Sequence, residues 1–103
     1  MKRGEVRWYV FSRPDKKRPV VIRTRESALE FLGEVTVAPI ASTIRDIPSE
    51  VLLTRVDGMP KECAVNLDHL QTVAKGKIGS LITTLSADKM QQMRSSLPFA
   101  LDF

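Results

Sequence analysis

The residues of this chain most able to do chemistry by type and spacing are cations. Lys2, Arg3, Arg7, Arg13, Lys16, Lys17, Arg18, Arg23 and Arg25 are nine of its sixteen Lys and Arg residues, and over the same stretch only Glu5 and Asp15 oppose them. The rest of the sequence is mildly acidic, so a net charge of +4 conceals a cationic pole on an acidic body. Trp8 and Tyr9 lie among these cations. Clustered positive charge with interleaved rings is the footprint of a polyanion site, most often nucleic acid. Arg7, Lys16, Lys17, Arg23 and Arg25 are its candidate phosphate contacts, and Tyr9 is the candidate ring for stacking a base. A hairpin kept soluble by its own charges accounts for the composition equally well.

Period-two patterning predicts the elements that carry these residues. Glu5–Phe11 places Val6, Trp8 and Val10 on one face and Arg7 and Tyr9 on the other, a half-buried strand with Trp8 inward. Ser12–Arg18 reads as a turn built on Pro14-Asp15. Pro19–Thr24 reads as a second strand, with proline at its first position. Arg25–Leu32 reads as a short helical turn closed by Gly33, and Glu34–Ile40 as a third strand with Pro39 marking its end or an edge. A polar loop over 41–47 precedes a fourth strand, Ser49–Arg55. The turn Asp57-Gly58-Met59-Pro60 leads to a fifth, Cys63–Leu67, and Leu70–Val73 is a further short strand or turn. Lys75–Thr83 carries no clear signal.

Ser86 and Asp88 form a helix start, capping and complementing the dipole. Met90, Met93 and Leu97 follow on one helical face. Pro98 is expected to stop that helix. Short strands followed by one helix predict a small, curled antiparallel sheet or barrel in a single domain, residues 1–103. No helix long enough for a βαβ crossover lies between strands.

Composition excludes several classes. No apolar run approaches the ~20 residues of a membrane span, and no apolar stretch follows the N-terminal charges as a secretory signal requires. The expectation is a cytoplasmic protein with no membrane partner. Lone Cys63 cannot close an internal disulfide and has no ligand cluster around it. It is expected to be a small buried residue at a strand start.

Four segments in order carry a family resemblance: Met1-Lys2-Arg3-Gly4-Glu5-Val6 with Trp8; Arg18-Pro19-Val20-Val21-Ile22; Val37-Ala38-Pro39-Ile40 followed by Ile47-Pro48-Ser49-Glu50-Val51; and Val65-Asn66-Leu67-Asp68-His69-Leu70-Gln71-Thr72-Val73. Over nearly its whole length the chain resembles the MazF/PemK (Kid) family, the toxin half of bacterial type II toxin–antitoxin pairs. The resemblance implies a mainly β fold, an SH3-like small barrel with a C-terminal helix, working as a homodimer. It implies a sequence-specific endoribonuclease that cuts single-stranded RNA without metal or cofactor. It also implies a cognate, MazE-like antitoxin whose C-terminal tail wraps the toxin.

Residue by residue, the resemblance assigns Arg18 to the scissile phosphate. A guanidinium suits bidentate capture of phosphate oxygens, and its pKa makes it a stabiliser of charge, not a base. The family's functional Thr after the third strand falls on Ala41, which has no hydroxyl; Ser42 and Thr43 follow and are the candidate replacements. Local turn hydrogen bonding is their alternative role. Asp68 corresponds to a carboxylate used in acid–base work by some members, and His69 beside it is the only imidazole. In a strand these neighbours point to opposite faces, so they are not expected to act on one atom. An Asp ordering backbone amides at a turn is the other reading of Asp68, and His69 falls to RNA contact.

Two rival functions fit the same fold. A CcdB-like toxin acts by binding a protein target through its C-terminal helix, whereas the charge here sits on the N-terminal hairpin. A barrel that binds RNA without cutting it fits the loss of the hydroxyl at Ala41.

Overall fold

A computed structural model describes residues 1–10, 17–24 and 33–101. Among the described residues there are seven antiparallel strands: β1 (Glu5–Val10), β2 (Lys17–Ile22), β3 (Glu34–Ala41), β4 (Glu50–Leu53), β5 (Cys63–Asn66), β6 (Gln71–Ala74) and β7 (Ile78–Thr84). Among the described residues one α-helix, α1 (Ala87–Leu101), follows. The sheet order is β4-β5-β3-β2-β1-β7, with β6 also on β3. The expected Pro14-Asp15 turn and the expected helical turn at 25–32 lie outside the described residues.

β3 is the pivot. Its residues Val37–Pro39 pair with β2, while it pairs with β6 over Glu34–Val37 and with β5 at Ile40 and Ala41. Pro39 is therefore inside the strand and not at its end. It sits where β3 passes from β6 to β5, a gap in the ladder that tolerates a residue without a donor. Pro19 is likewise the third residue of β2, opposite Trp8, where pairing with β3 has not yet begun.

The central strands of the curled sheet bury residues on both faces. Val6, Val21, Ala38 and Ile40 meet Leu53, Val65, Leu67 and Met93 in one cluster. Val20, Ile22, Val35, Val37 and Val73 form a second, with Tyr9 and Ile78 packed against it. Helix α1 closes the first cluster: Met93 is fully buried, and Met90 and Leu97 pack beside it. Ser86 Oγ accepts the Lys89 N–H at 3.2 Å, the expected cap. Contrary to expectation the helix runs through Pro98 to Leu101. Proline removes a single hydrogen bond there, and Leu97, held on the core, keeps the preceding turn helical against its usual restriction.

Three further boundaries differ from the pattern reading. β2 starts at Lys17 because Lys17 and Arg18 pair with Val10 and Tyr9, so Arg18 stands in a strand and not in a turn. β4 ends at Leu53, since Thr54 Oγ1 accepts from Val56 N and the Asp57 carboxylate accepts from Thr54 N, a reciprocal capping box that starts a helical turn, Arg55–Asp57. β5 ends at Asn66, whose side chain caps the turn Leu67–His69. The segment without clear signal resolves into a turn, Lys75–Lys77, and β7.

The two outer regions of the sheet meet. Thr83 Oγ1 on β7 donates to the Asp57 carbonyl at 3.1 Å. Gly58, at φ 95°, completes the turn against Thr83, where any Cβ would collide. This contact curls the sheet toward a barrel and shapes the mouth described next.

Candidate active site

At the end of the barrel where β2 begins, a cleft of about 390 Å³ is lined by Trp8, Arg18, Pro19, Ile40, Ala41, Ser42, Thr43, Met59, Pro60, Lys61 and Cys63. Each element delivers its residues for a local reason. The β1–β2 register sets Trp8 opposite Pro19 and Tyr9 opposite Arg18. β3 ends at Ala41, paired with Ala64, so Ser42 and Thr43 leave the sheet at the rim. The capped turn ending at Gly58 brings Met59, Pro60 and Lys61 across from them.

Arg18 has no hydrogen-bond or ion-pair partner among the described residues and is exposed. The Ser42 and Thr43 hydroxyls are also exposed and unengaged there, so the local turn bonds that would make them structural are not formed. Cys63, which starts β5, is buried. Burial, with the charge of Asp57, pushes its thiol pKa up, which suits a packing residue and not a nucleophile. The chemistry on offer is therefore an unspent guanidinium, two hydroxyls and the Lys61 ammonium around a space able to take a phosphodiester.

The structure does not bring every sequence candidate here. Trp8, assigned inward, is half-buried and lines the cleft. Tyr9, assigned outward for stacking, packs against the second core cluster instead. Arg7 is tied down, donating to Glu5 Oε1 at 2.8 Å and to the Gly79 carbonyl at 3.0 Å. Lys17 is exposed beside Arg18 but outside the cleft lining. Arg23 lies past the opposite end of β2. Lys16 and Arg25 fall outside the described residues. Lys61 carries no sequence signal beyond being one basic residue after a turn, and only the fold brings it to the cleft.

Asp68 and His69 occupy the helical turn after β5 and do not line the cleft. The strand alternation expected for them does not apply, although adjacent residues on a helical turn do not face one another either. The Asp68 carboxylate accepts from Ser49 Oγ at 2.6 Å and lies 3.5 Å from Arg45 Nη2. His69 is exposed.

The Arg45–Asp68 approach belongs to a latch that the sequence pattern does not reveal. The Glu50 carboxylate accepts the Arg45 N–H at 2.9 Å, Arg45 Nε at 2.8 Å and the Asp46 N–H at 3.1 Å. Asp46 adopts φ 55°, left-handed, a conformation its short side chain tolerates. The loop that begins with Ser42 and Thr43 is thus clamped just beyond them. Burial alone would raise the Glu50 pKa, but bonds from the Arg45 side chain and from the Arg45 and Asp46 amides outweigh it and hold the carboxyl below its ordinary value. A lowered folded pKa means stability that is complete above the unfolded value and lost as pH falls through the folded one. Thermal unfolding of the native chain and Glu50→Gln should therefore differ fully at neutral pH. The gap should close in strong acid; one that persists there would show the charge to be irrelevant.

With the geometry established, comparison with known proteins decides the family. A family model described as "PemK-like, MazF-like toxin of type II toxin-antitoxin system" matches residues 2–101. This chain belongs to that toxin family. Its curated relatives include endoribonuclease MazF3 of Mycobacterium tuberculosis, 36% identical over 88 residues and covering 85% of each chain. The toxin also superposes on the solved Mycobacterium tuberculosis toxin MazF-mt6 with a TM-score of 0.88, at 32% identity, over 96% of this chain and 97% of that one. A mycobacterial endoribonuclease solved with its cognate antitoxin shares the fold at a TM-score of 0.88 and 21% identity, over 100% of this chain and 96% of that one. The mainly β architecture with one C-terminal helix is that of MazF toxins.

Proposed function

We propose that this toxin is a metal-independent, sequence-specific endoribonuclease whose active site is the Arg18 cleft. The carrying observation is an arginine and two hydroxyls that share one cleft and have no partner among the described residues, in a chain of this family. The substrate's own 2′-hydroxyl is the nucleophile. Its oxygen bonds to phosphorus as its proton departs, the bond to the 5′-oxygen breaks, and that oxygen takes up a proton. The products are a 2′,3′-cyclic phosphate and a 5′-hydroxyl, and DNA, lacking the nucleophile, is not cut. Arg18 holds the non-bridging oxygens as negative charge grows on the phosphorane, with Lys61 adding a second cation. A hydroxyl of Ser42 or Thr43 donates from the other rim. Trp8 offers a base its ring. Asp68 acts through Ser49 and Arg45, steadying the loop and not touching the phosphate.

The family and the endoribonuclease relatives favour this reading over a protein-binding, CcdB-like one. Its partners are single-stranded RNA in the cytoplasm and a cognate antitoxin that covers the cleft. Among the described residues no three His, Cys, Asp or Glu side chains gather as a metal site, and no helix is long and apolar enough to cross a membrane. Incubating purified toxin with a long RNA in EDTA tests the proposal. Cyclic-phosphate fragments should form, and the rate should fall steeply between about 50 and 200 mM salt as counterions compete. Dependence on added Mg²⁺ would overturn it, and binding without cutting would make it an RNA-binding barrel.

The working unit is proposed to be a homodimer. Leu52 on β4 and Leu81 on β7, the two ends of the strand order, are 44% and 50% exposed, which association would cover. Light scattering at micromolar concentration should give twice the chain mass, and a monomer mass would refute it.

A further inference from the structure

A second cationic site lies at the other end of β2. The Gly4 N–H donates to the Ile22 carbonyl at 2.9 Å, and the Gly4 carbonyl accepts from Leu85 N at 2.9 Å. Gly4, at φ 90°, has Met90 Sδ of α1 only 3.2 Å from where a Cβ would stand. These three contacts draw Arg3, next to Gly4, toward Arg23, next to Ile22, and toward Arg94, one helical turn beyond Met90. A cleft of about 390 Å³ opens between Arg3 and Arg94, lined by those two with Ala87 and Met90; Arg23 is not in its lining and stands behind it, close enough to feel both charges.

The cluster is electrostatically unfinished. Arg3 Nε and Arg23 Nη1 are buried with no hydrogen-bond partner. Among the described residues no carboxylate pairs with any of the three, and Arg94 donates only to Gln91 Oε1, at 2.9 Å. Burial and the neighbouring charges of Arg3 and Arg94 lower the Arg23 pKa. Three like charges with unused donors are unfavourable in isolation and become favourable around an anion.

We propose that Arg3, Arg23 and Arg94 form a second phosphate-binding site, which grips the RNA strand away from the bond that is cut. The proposal rests on the ribonuclease reading above. Nucleic acid is the favoured anion because the site continues the cationic pole that begins at Lys2 and reaches Arg18. Arg18 and Arg23 are five extended residues apart, about 17 Å, so they serve different phosphates of one strand.

Binding of uncleavable all-deoxy oligonucleotides tests this without relying on catalysis. Arg23→Gln and Arg94→Gln should each weaken a long oligonucleotide about tenfold, the scale of one charge-assisted hydrogen bond. Each should also make the salt dependence shallower, by about 0.7 for every phosphate that is no longer neutralised. A trinucleotide that fills only the Arg18 cleft should bind the variants and the native toxin alike. Arg23→Gln should also melt no lower than the native chain, since it relieves repulsion; a merely structural arginine would show the reverse. Undiminished binding of the long oligonucleotide, or equal losses for both lengths, would overturn the proposal. Loss of binding to poly-glutamate alone would reassign the site to protein carboxylates. If the native toxin cuts no RNA the catalytic reading fails, and the length dependence still decides this site.

Discussion

Arg18→Ala should lower RNA cleavage by about a thousandfold, the upper range for removing one donor from a developing oxyanion. Stability should barely move. Arg18 contributes backbone pairing with Tyr9, which alanine keeps, and its exposed side chain touches no partner among the described residues. Substitutions at such positions usually lie within about 0.5 kcal/mol. Cells expressing the folded variant should grow, and purified protein should melt near the native temperature. Arg18→Lys separates two roles for the cation. If planar, bidentate capture of the phosphate matters, lysine restores little; if only charge matters, it restores most. A folded Arg18→Ala protein that still arrests growth would remove Arg18 from the mechanism.

The strands were legible wherever Val and Ile alternate, because burial on a pleated surface imposes that period. The Ser86 cap and the Met90–Met93–Leu97 face were legible because both are local. Tyr9 packs on the second cluster and Trp8 lines the cleft for a reason the alternation cannot express. The central strands carry a core cluster on each face, so inside and outside are not opposites there, and irregularities interrupt the β1–β7 register on either side of Arg7. Val10, assigned inward with Trp8, is 37% exposed at the end of β1. The helical turns at Thr54 and Asn66 depend on side chains competing with the ladder for backbone donors, a contest that period-two patterning does not weigh.

Within the site, the cluster of Arg18, Ser42 and Thr43 was reachable through family resemblance, since three residues from two strand ends have no shared spacing. The Glu50 latch was not. Its carboxylate is adjacent to β4 pairing yet turns back to bind amides four and five residues earlier, and only the closed loop shows that. Asp68 stands out in the sequence as an acid, but its bond to Ser49 makes it part of that loop's support.

The hydroxyl missing at Ala41 leads to the other large effect. In the proposed mechanism Arg18 approaches the phosphate from β2, and a donor from the β3 side is needed for the remaining oxygens or the departing one. Ala41 lines the cleft without providing it, while Ser42 and Thr43 line the same cleft with hydroxyls unengaged among the described residues. One such hydrogen bond is worth ~3 kcal/mol, about a hundredfold in rate. Replacing whichever of the two serves, by Ser42→Ala or Thr43→Ala, should lower cleavage by about that factor, with the other substitution nearly silent. Neither should disturb the fold, because neither side chain holds the loop; Glu50 does. If both single variants and the double variant keep the native rate, no hydroxyl from this loop takes part. Ala41→Thr then becomes the decisive change. An acceleration would show that the cleft is built for a threonine at that place, and that the native chain runs as an attenuated toxin. An unchanged rate in Ala41→Thr, together with a hundredfold loss in one of the alanine variants, would show that the hydroxyl has moved along the loop while the geometry of the phosphate site has stayed.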